Sequence, residues 1–493
     1  MDSRLPVQGM KSPKLSEGIN TSAIGDRISN LPEAVLCHIL SFLPTKDAVQ
    51  TSPLAKRWKY LWDSVPNIDF ELRPYKDLDS FDEGYISFDE GYMDRFTTLI
   101  DRYFVLRENL HLLKFRLSCC GEIDFSRFYS WVCVVITYKV RELHLELTTG
   151  EIGELPWSLF TCKTLVVLTI RGKFIFNVPH YVCLPNLKTL CLKSLIYLDD
   201  GSIRKFLSGC PALEDLEITR SGWDNMWALD ISVPSLKRLT LWSLVSMEDL
   251  YHEPGCEYKI MVNAPNLEYL EFFDSVSAYI SVGGLPSVVE AFVDICIWSD
   301  ANPPFTEDWM LRRYLEYKNH TSKLLRSISN VQRLSLTGHA LQCLGYSCLN
   351  LAMYHNLVYL ELGSDPFNGP LLMVKFLQSS PKLKVLVFPE VSGFSDSSDI
   401  AYLQGSNLLL SKISHSDRPW SPPPRVPSCL LLNLKEIEYL KFGGGRHESE
   451  VIEYLLKSAE VLKSMTVCCQ YSDSWRLLAR FPRASKICEL NLH

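Results

Sequence analysis

The chain has 493 residues, too many for a lone small domain and enough for about three domains or one long repeat array with an appendage. Apolar residues make up 47% and charged residues 22%, with 24 Gly and 27 Pro, which excludes collagen-like, wholly disordered and low-complexity chains. The formal net charge is −7 and Lys/Arg never run more than two together, so no electrostatic footprint for a phosphate backbone exists and nucleic acid is not an expected partner.

The first 24 residues mix Lys, Ser, Pro, Gly and Asp without the apolar run of about 7–15 residues that a secretory signal needs, and predict a disordered N-terminus. No stretch approaches the roughly 18 apolar residues of a membrane span. The densest, Trp131 to Val140, is broken by Thr137 and Lys139, so no membrane partner is expected. Of the 16 cysteines, Cys133, Cys191 and Cys296 sit inside apolar runs, where a free thiol acts as a small hydrophobe. A reducing compartment, cytoplasm or nucleus, suits them and leaves the sequons at Asn20 and Asn319 idle.

Residues 26–70 begin with an amphipathic helix: Leu31, Val35, Leu36, Ile39, Leu40 and Leu43 recur at helical spacing. Asn30 with Glu33 three residues on reads as a capping box, with Pro32 in the first turn, and Pro44 disfavours helix at Leu43. Thr45 can cap a second short helix, and Ser52-Pro53 can open a third that carries Trp58, Leu61 and Trp62. Three short helices cannot bury so many apolar side chains among themselves, which predicts a surface built for a partner. Residues 69–94 then hold nine acids against two bases and repeat SFDEGY, the pattern of an acidic linker (71–95). Asp77, Asp79, Asp82 and Gly84 fall at the wrong spacing for a calcium loop.

From residue 110 an apolar residue, two variable, an apolar, one variable and an apolar residue recur, the strand signature of leucine-rich repeats. Units start at Leu110, Val140, Leu165, Leu187, Leu213, Leu236, Leu267, Val288, Val331, Leu357, Leu383, Ile437, Leu462 and Ile487, with insertions after Val288 and Leu383. Pro185, Pro211, Pro234, Pro265, Pro286 and Pro381 stand two residues ahead of a unit, where a residue without an amide donor can enter a strand. Short helical patterns such as Ile203 to Leu207 and Val374 to Leu377 return the chain to the next strand, and stacked units close a shared core. Residues 391–417, rich in Ser and Asp, read as an insertion. Beyond it, Ile452 to Val467 repeats the helix-then-strand spacing of Ile203 to Ile218, so the tail should continue or cap the solenoid.

Two stretches resemble known modules. Residues 25–70, from DRIS and LP through ILSFLPTK to KRW-x-x-LW, resemble the plant F-box, with Pro53 and Ala55 departing from its usual residues. Residues 418–493, from RPWSPPP to the Ile452 helix, are similar to the FBD segment. With repeats over 96–390 between them, the chain looks like a plant F-box/FBD/LRR-repeat protein: α/β, an N-terminal three-helix F-box followed by a leucine-rich solenoid.

That resemblance implies a non-catalytic substrate-recognition subunit of a Skp–cullin–F-box ubiquitin ligase. A Skp-type adaptor, and through it a cullin, would dock on Leu31, Pro32, Leu36, Ile39, Leu40, Leu43, Leu54 and Trp58. A cullin-independent scaffold and a small-molecule-gated co-receptor are the alternatives.

No nucleophile elbow, phosphate loop or metalloprotease signature occurs, and Gly443-Gly444-Gly445 leads into Arg446-His447, a turn and not a phosphate cradle. His339, Cys343, Cys348 and His355 lack the paired brackets of structural zinc and sit among leucines, so neither metal nor cofactor is expected. The pairs Cys119-Cys120 and Cys468-Cys469 should each point one thiol inward and one outward.

In each repeat strand the residues between the apolar positions point to the opposite, concave face. On three neighbouring units these are Asp215, Glu217 and Thr219, then Arg238, Thr240 and Trp242, then Tyr269, Glu271 and Phe273. Trp, Tyr and Arg are frequent binding anchors, which makes this the expected target site unless the loop at 243–263 covers Trp242 and Phe273.

Overall fold

The computed structural model describes residue 28 and residues 31–72, 91–108, 111–148, 152–220, 224–243, 258–275, 277–295, 307–344, 351–363, 369–390, 422–470 and 475–493. Expectations for the N-terminus, Asn30, most of the acidic stretch, the 391–417 insertion, Cys348 and most of the 243–263 loop fall outside these residues.

Among the described residues a 15-stranded, all-parallel sheet runs with its strands in chain order, from Asn67–Leu72 to Glu489–Leu492. Alternation makes it: in Asn67–Leu72, Lys114–Cys119, Glu142–Leu147 and Asp215–Arg220 every second side chain is buried and the others are not. Polar residues just before six of the units join the repeats. Thr164, Asn186, Ser235, Asn266, Asn330 and Asn433 each donate from the side chain to a carbonyl of the preceding unit, at 2.7–3.2 Å. They give these carbonyls a partner from the next repeat. Two small parallel sheets, Gly153–Glu154 with Phe174–Phe176 and Ile196–Tyr197, and Ala228–Ser232 with Tyr258–Asn263 and Ser277–Val282, accompany the main one.

The register corrects two unit starts. Phe115 pairs with Leu143, so the unit expected at Leu110 begins at Leu112, which is buried. Leu386 pairs with Ile437, so the unit expected at Ile437 begins at Leu434. In both cases a chance leucine or isoleucine satisfied the motif out of phase. The strands Glu436–Phe442, Ser464–Cys469 and Glu489–Leu492 extend the same sheet, so the tail continues the solenoid. The return helices expected around Ile203 and Val374 are present as Gly201–Ser208 and Gly369–Ser379, and a 21-residue helix, Glu307–Ser327, follows the Val288 unit.

The largest departure lies at the N-terminal joint. The strand Asn67–Leu72 already pairs with Lys114–Cys119, so the first module joins the sheet ahead of most of the expected linker. The motif was present as Val65, Ile68 and Phe70, all buried, but lay inside the segment read as F-box. After it comes an amphipathic helix, Tyr92–Leu106, whose first turn falls in the stretch expected as a linker (71–95) and the rest in the expected repeats. Trp62 meets Tyr103 of this helix at 5.1 Å between ring centroids, and Tyr103 meets Phe70 edge-on at 5.3 Å. Arg107, buried, donates to the Tyr103 hydroxyl at 2.8 Å and to the Val65 and His111 carbonyls at 3.1 and 3.0 Å. Aromatic packing and a satisfied buried cation therefore weld the first module to the first repeat.

Candidate functional site

The N-terminal module holds two α-helices, Glu33–Leu40 and Thr45–Gln50, and the expected third helix is instead two 3-10 turns, Lys56–Trp58 and Leu61–Ser64. Ser52 bonds back to the Val49 carbonyl and so does not start that third helix. The first helix has Pro32 at its N-cap position and no side-chain cap. Thr45, expected as a cap, accepts the Asp69 amide at 2.7 Å and ties the second helix to the first repeat strand.

The eight residues proposed for adaptor docking divide by burial. Leu36, Leu40 and Trp58 are core, Leu31 is half-buried against it, and Pro32, Ile39, Leu43 and Leu54 are exposed. Leu36 and Leu40 lie four apart and face inward together, while Ile39 and Leu43 are turned outward by the same spacing. Val35, Phe42 and Tyr60 are also exposed, Phe42 at 75%, and extend the apolar face. Phe42 escaped the sequence reading because it sits off the helical stripe. Its signal was that very misplacement, a large apolar residue outside the core phase.

The second candidate surface is the open face of the main sheet. Arg238 aligns with Asp215 on one side and Tyr269 on the other, and Thr240 aligns with Glu217 and Glu271, so the three expected units are adjacent. Arg238 stacks on the Tyr269 ring, 4.2 Å from its centroid, and lies 3.7 Å from Asp215. Glu271 accepts from Trp242 Nε1 at 3.2 Å and from the Tyr269 hydroxyl at 2.9 Å. Burial, then the bond to Glu271, push the Tyr269 phenol up to about 12, so it remains a neutral donor. Glu217 pairs with Lys193 and accepts from the Cys191 thiol. Phe273, on the same face, is buried, with Trp242 at 6.2 Å between ring centroids, and so is not presented to a partner.

The same architecture continues past the residues singled out from sequence. Arg333 lies 3.9 Å from the Tyr359 ring centroid, and the Tyr359 hydroxyl donates to Glu361 at 3.1 Å, with burial and then Glu361 pushing that phenol up to about 12. The signal was the repeated Tyr-Leu-Glu at 269–271 and 359–361. Between these strands, buried Asp294 accepts from Thr337 Oγ1 and lies 3.4 Å from His339 Nδ1.

Cys343, one of the four residues tested for zinc, donates its thiol to the Ile295 carbonyl at 3.1 Å. Among the described residues no three His, Cys, Asp or Glu side chains converge on a metal-sized site. Cys119 is buried with Cys120 half-buried, as alternation requires, whereas Cys468 and Cys469 are both half-buried. A cavity of about 270 Å³ at the junction with the tail is lined by Met373, Phe388, Tyr439 and Arg446, away from the Arg238–Tyr269 patch. No helix among the described residues is long and apolar enough to cross a membrane.

A pH test follows for His339. Burial opposes its charge, but the bond to Asp294 and that carboxylate's charge prevail and hold the imidazole above its ordinary value. Its stabilising contribution is therefore complete below the unfolded value of about 6.5 and is lost as pH rises through the folded one. The melting temperature of the wild type should fall relative to His339→Gln between pH 6 and 8. Parallel melting curves for the two would refute the pairing.

Three family models match the chain: the F-box domain over residues 28–70, the leucine-rich repeats of an FBD-associated F-box protein over 128–288, and FBD over 422–467. A putative F-box/FBD/LRR-repeat protein of Arabidopsis thaliana is 33% identical over 456 residues, 90% of this chain and 92% of the relative. A putative FBD-associated F-box protein of the same plant is 32% identical over 484 residues, covering 95% of this chain and all of the relative (100%). An F-box/FBD/LRR-repeat protein, also from Arabidopsis thaliana, is 30% identical over 479 residues, 94% of this chain and 98% of its own.

Proposed function

Because the chain belongs to the F-box/FBD/LRR-repeat family of plants, we propose that it is the non-catalytic substrate-recognition subunit of a Skp–cullin–F-box ubiquitin ligase. The exposed F-box face, Pro32, Ile39, Leu43, Leu54 and Phe42, docks on the Skp-type adaptor and through it on a cullin, while Leu36, Leu40 and Trp58 hold that face in shape. The open sheet face around Arg238, Trp242, Tyr269 and Glu271 holds the target protein.

The observation that carries this reading is the welded joint. Trp62, Tyr103, Phe70 and Arg107 fix the F-box to the first repeat, so a target on the sheet is held at a set distance from the adaptor. A recognition subunit works by proximity: it raises the effective concentration of the target at a ubiquitin donor carried elsewhere in the complex. A rigid joint keeps that gain, whereas a long flexible tether dilutes it.

Arg238→Ala, Trp242→Ala and Tyr269→Ala together should abolish capture of the target, each anchor being worth about 2 kcal/mol or more if it is a hot spot. Adaptor binding and thermal stability should stay close to wild type. The test is affinity purification from proteasome-inhibited cells, reading adaptor, cullin and enriched targets together. Loss of the adaptor in the triple variant, or an unchanged target list, would sink the assignment of this face, and absence of a cullin from the wild-type eluate would favour a cullin-independent scaffold.

A further inference from the structure

The chemistry of the open face narrows the class of target, and the inference rests on the reading of that face as the target site. Glu271, Phe292, Ser335 and Glu361 lie in one register line across four adjacent strands. Three strand spacings of about 4.8 Å separate the two carboxylates, roughly 14 Å in all.

Both carboxylates are half-exposed and both take their hydrogen bonds from neutral groups. Glu271 is met by Trp242, Thr240 and Tyr269, and Glu361 by Tyr359. The cations of this stretch are engaged otherwise. Arg238 stacks on Tyr269 and leans toward Asp215, while Arg333 lies over Tyr359, 3.5 Å from Glu290. Among the described residues, no Lys, Arg or His comes within salt-bridge distance of Glu271 or Glu361, whereas between them Glu290 is paired with Arg333 and buried Asp294 with His339. Each carboxylate is thus held in place by neutral donors and is open to an incoming cation.

We propose that this face binds an extended segment of the target carrying two Lys or Arg residues four apart, with an apolar residue midway. In an extended chain residues i, i+2 and i+4 share one side, and four residues span about 13 Å, which matches the separation of Glu271 and Glu361. The middle side chain then falls between the Phe292 and Ser335 strands, beside Phe292, which is half-buried. A segment laid across the strands in this way meets the sheet face along the solenoid axis, the direction in which such folds offer extended surface.

The test is fluorescence anisotropy of the full-length chain with labelled peptides built on Lys-Ser-Leu-Ser-Lys, at low and at physiological salt. Comparison peptides carry the two Lys three apart, or Glu in place of Lys. The four-apart peptide should bind about tenfold more tightly than either, with affinity falling as salt rises. Glu271→Gln and Glu361→Gln should each weaken it about fivefold to tenfold, and the double variant should bring it to the level of the acidic peptide, with melting temperatures unchanged. Equal affinity for all three peptides, or a double variant that binds as wild type does, would overturn the proposal. If the basic peptides fail while Arg238→Ala, Trp242→Ala and Tyr269→Ala still abolish capture of the cellular target, the peptide class is wrong and the sheet face stands. If neither responds, both readings fall.

Discussion

Trp58→Ala is expected to destabilise the F-box by about 3–5 kcal/mol, because the indole is removed from a core site that cannot collapse around the gap. Trp58 is 6% exposed and sits on a single 3-10 turn closed by its own amide to the Ala55 carbonyl at 2.9 Å, and it shares a core with Leu36 and Leu40 of the first helix and Leu61 of the following turn. A short turn has few other contacts to hold it once the ring is gone. Adaptor binding should fall with it, but as a consequence of unfolding. The contrast is Ile39→Asp, Leu43→Asp and Leu54→Asp on the exposed face, which should remove the adaptor from a pull-down while leaving far-ultraviolet circular dichroism and the melting transition in place. If Trp58→Ala keeps its stability and loses only the adaptor, the ring is an interface anchor and the division of roles by burial is wrong.

The second large effect is expected at Asp224→Ala. Asp224 and Arg220 form a bidentate pair, at 2.7 and 3.2 Å, with side-chain exposures of 0% and 3%. Arg220 also donates to the Met226 carbonyl at 2.6 Å and stacks at 4.7 Å on the Tyr258 ring. Removing the carboxylate leaves a buried guanidinium without a counter-charge, which costs about 3–5 kcal/mol. Replacing both partners, as in Arg220→Met/Asp224→Ala, should cost far less, since both desolvation penalties vanish together. In a solenoid each unit is held by its neighbours, so the loss should be local. Amide exchange in the strands Ala228–Ser232 and Tyr258–Asn263 should accelerate by roughly two to three orders of magnitude, with the distant strands Glu142–Leu147 and Ser464–Cys469 unaffected. Equal acceleration throughout, or a double variant as damaged as the single one, would contradict this.

Much of this protein is written locally. The six-residue alternation alone yields the parallel sheet, because a strand with one greasy side has no stable state except stacked on its like, and the proline and asparagine ahead of each unit mark where the strands begin. The same periodicity placed Asp215, Glu217, Arg238, Trp242, Tyr269 and Glu271 on one face, since side-chain direction in a strand is a property of position alone. The F-box stripe likewise separated apolar residues from polar ones.

What periodicity could not supply was phase and contact. Leu110 and Ile437 satisfied the motif as well as Leu112 and Leu434 did, and only the pairing of Phe115 with Leu143 and of Leu386 with Ile437 decided between them. The acidic composition of residues 69–94 argued for a tether, yet Ile68 and Phe70 had already entered the sheet, with Val65 buried just ahead of them, because a free strand edge and an aromatic partner in Tyr103 outweigh local charge. Trp58 and Leu54 are both apolar residues of the same module, and nothing in their spacing says that one is core and the other surface. Sequence fixes which residues can share a face; burial, register and the company a carboxylate keeps arise from side chains distant in the chain, and only the folded solenoid brings them together.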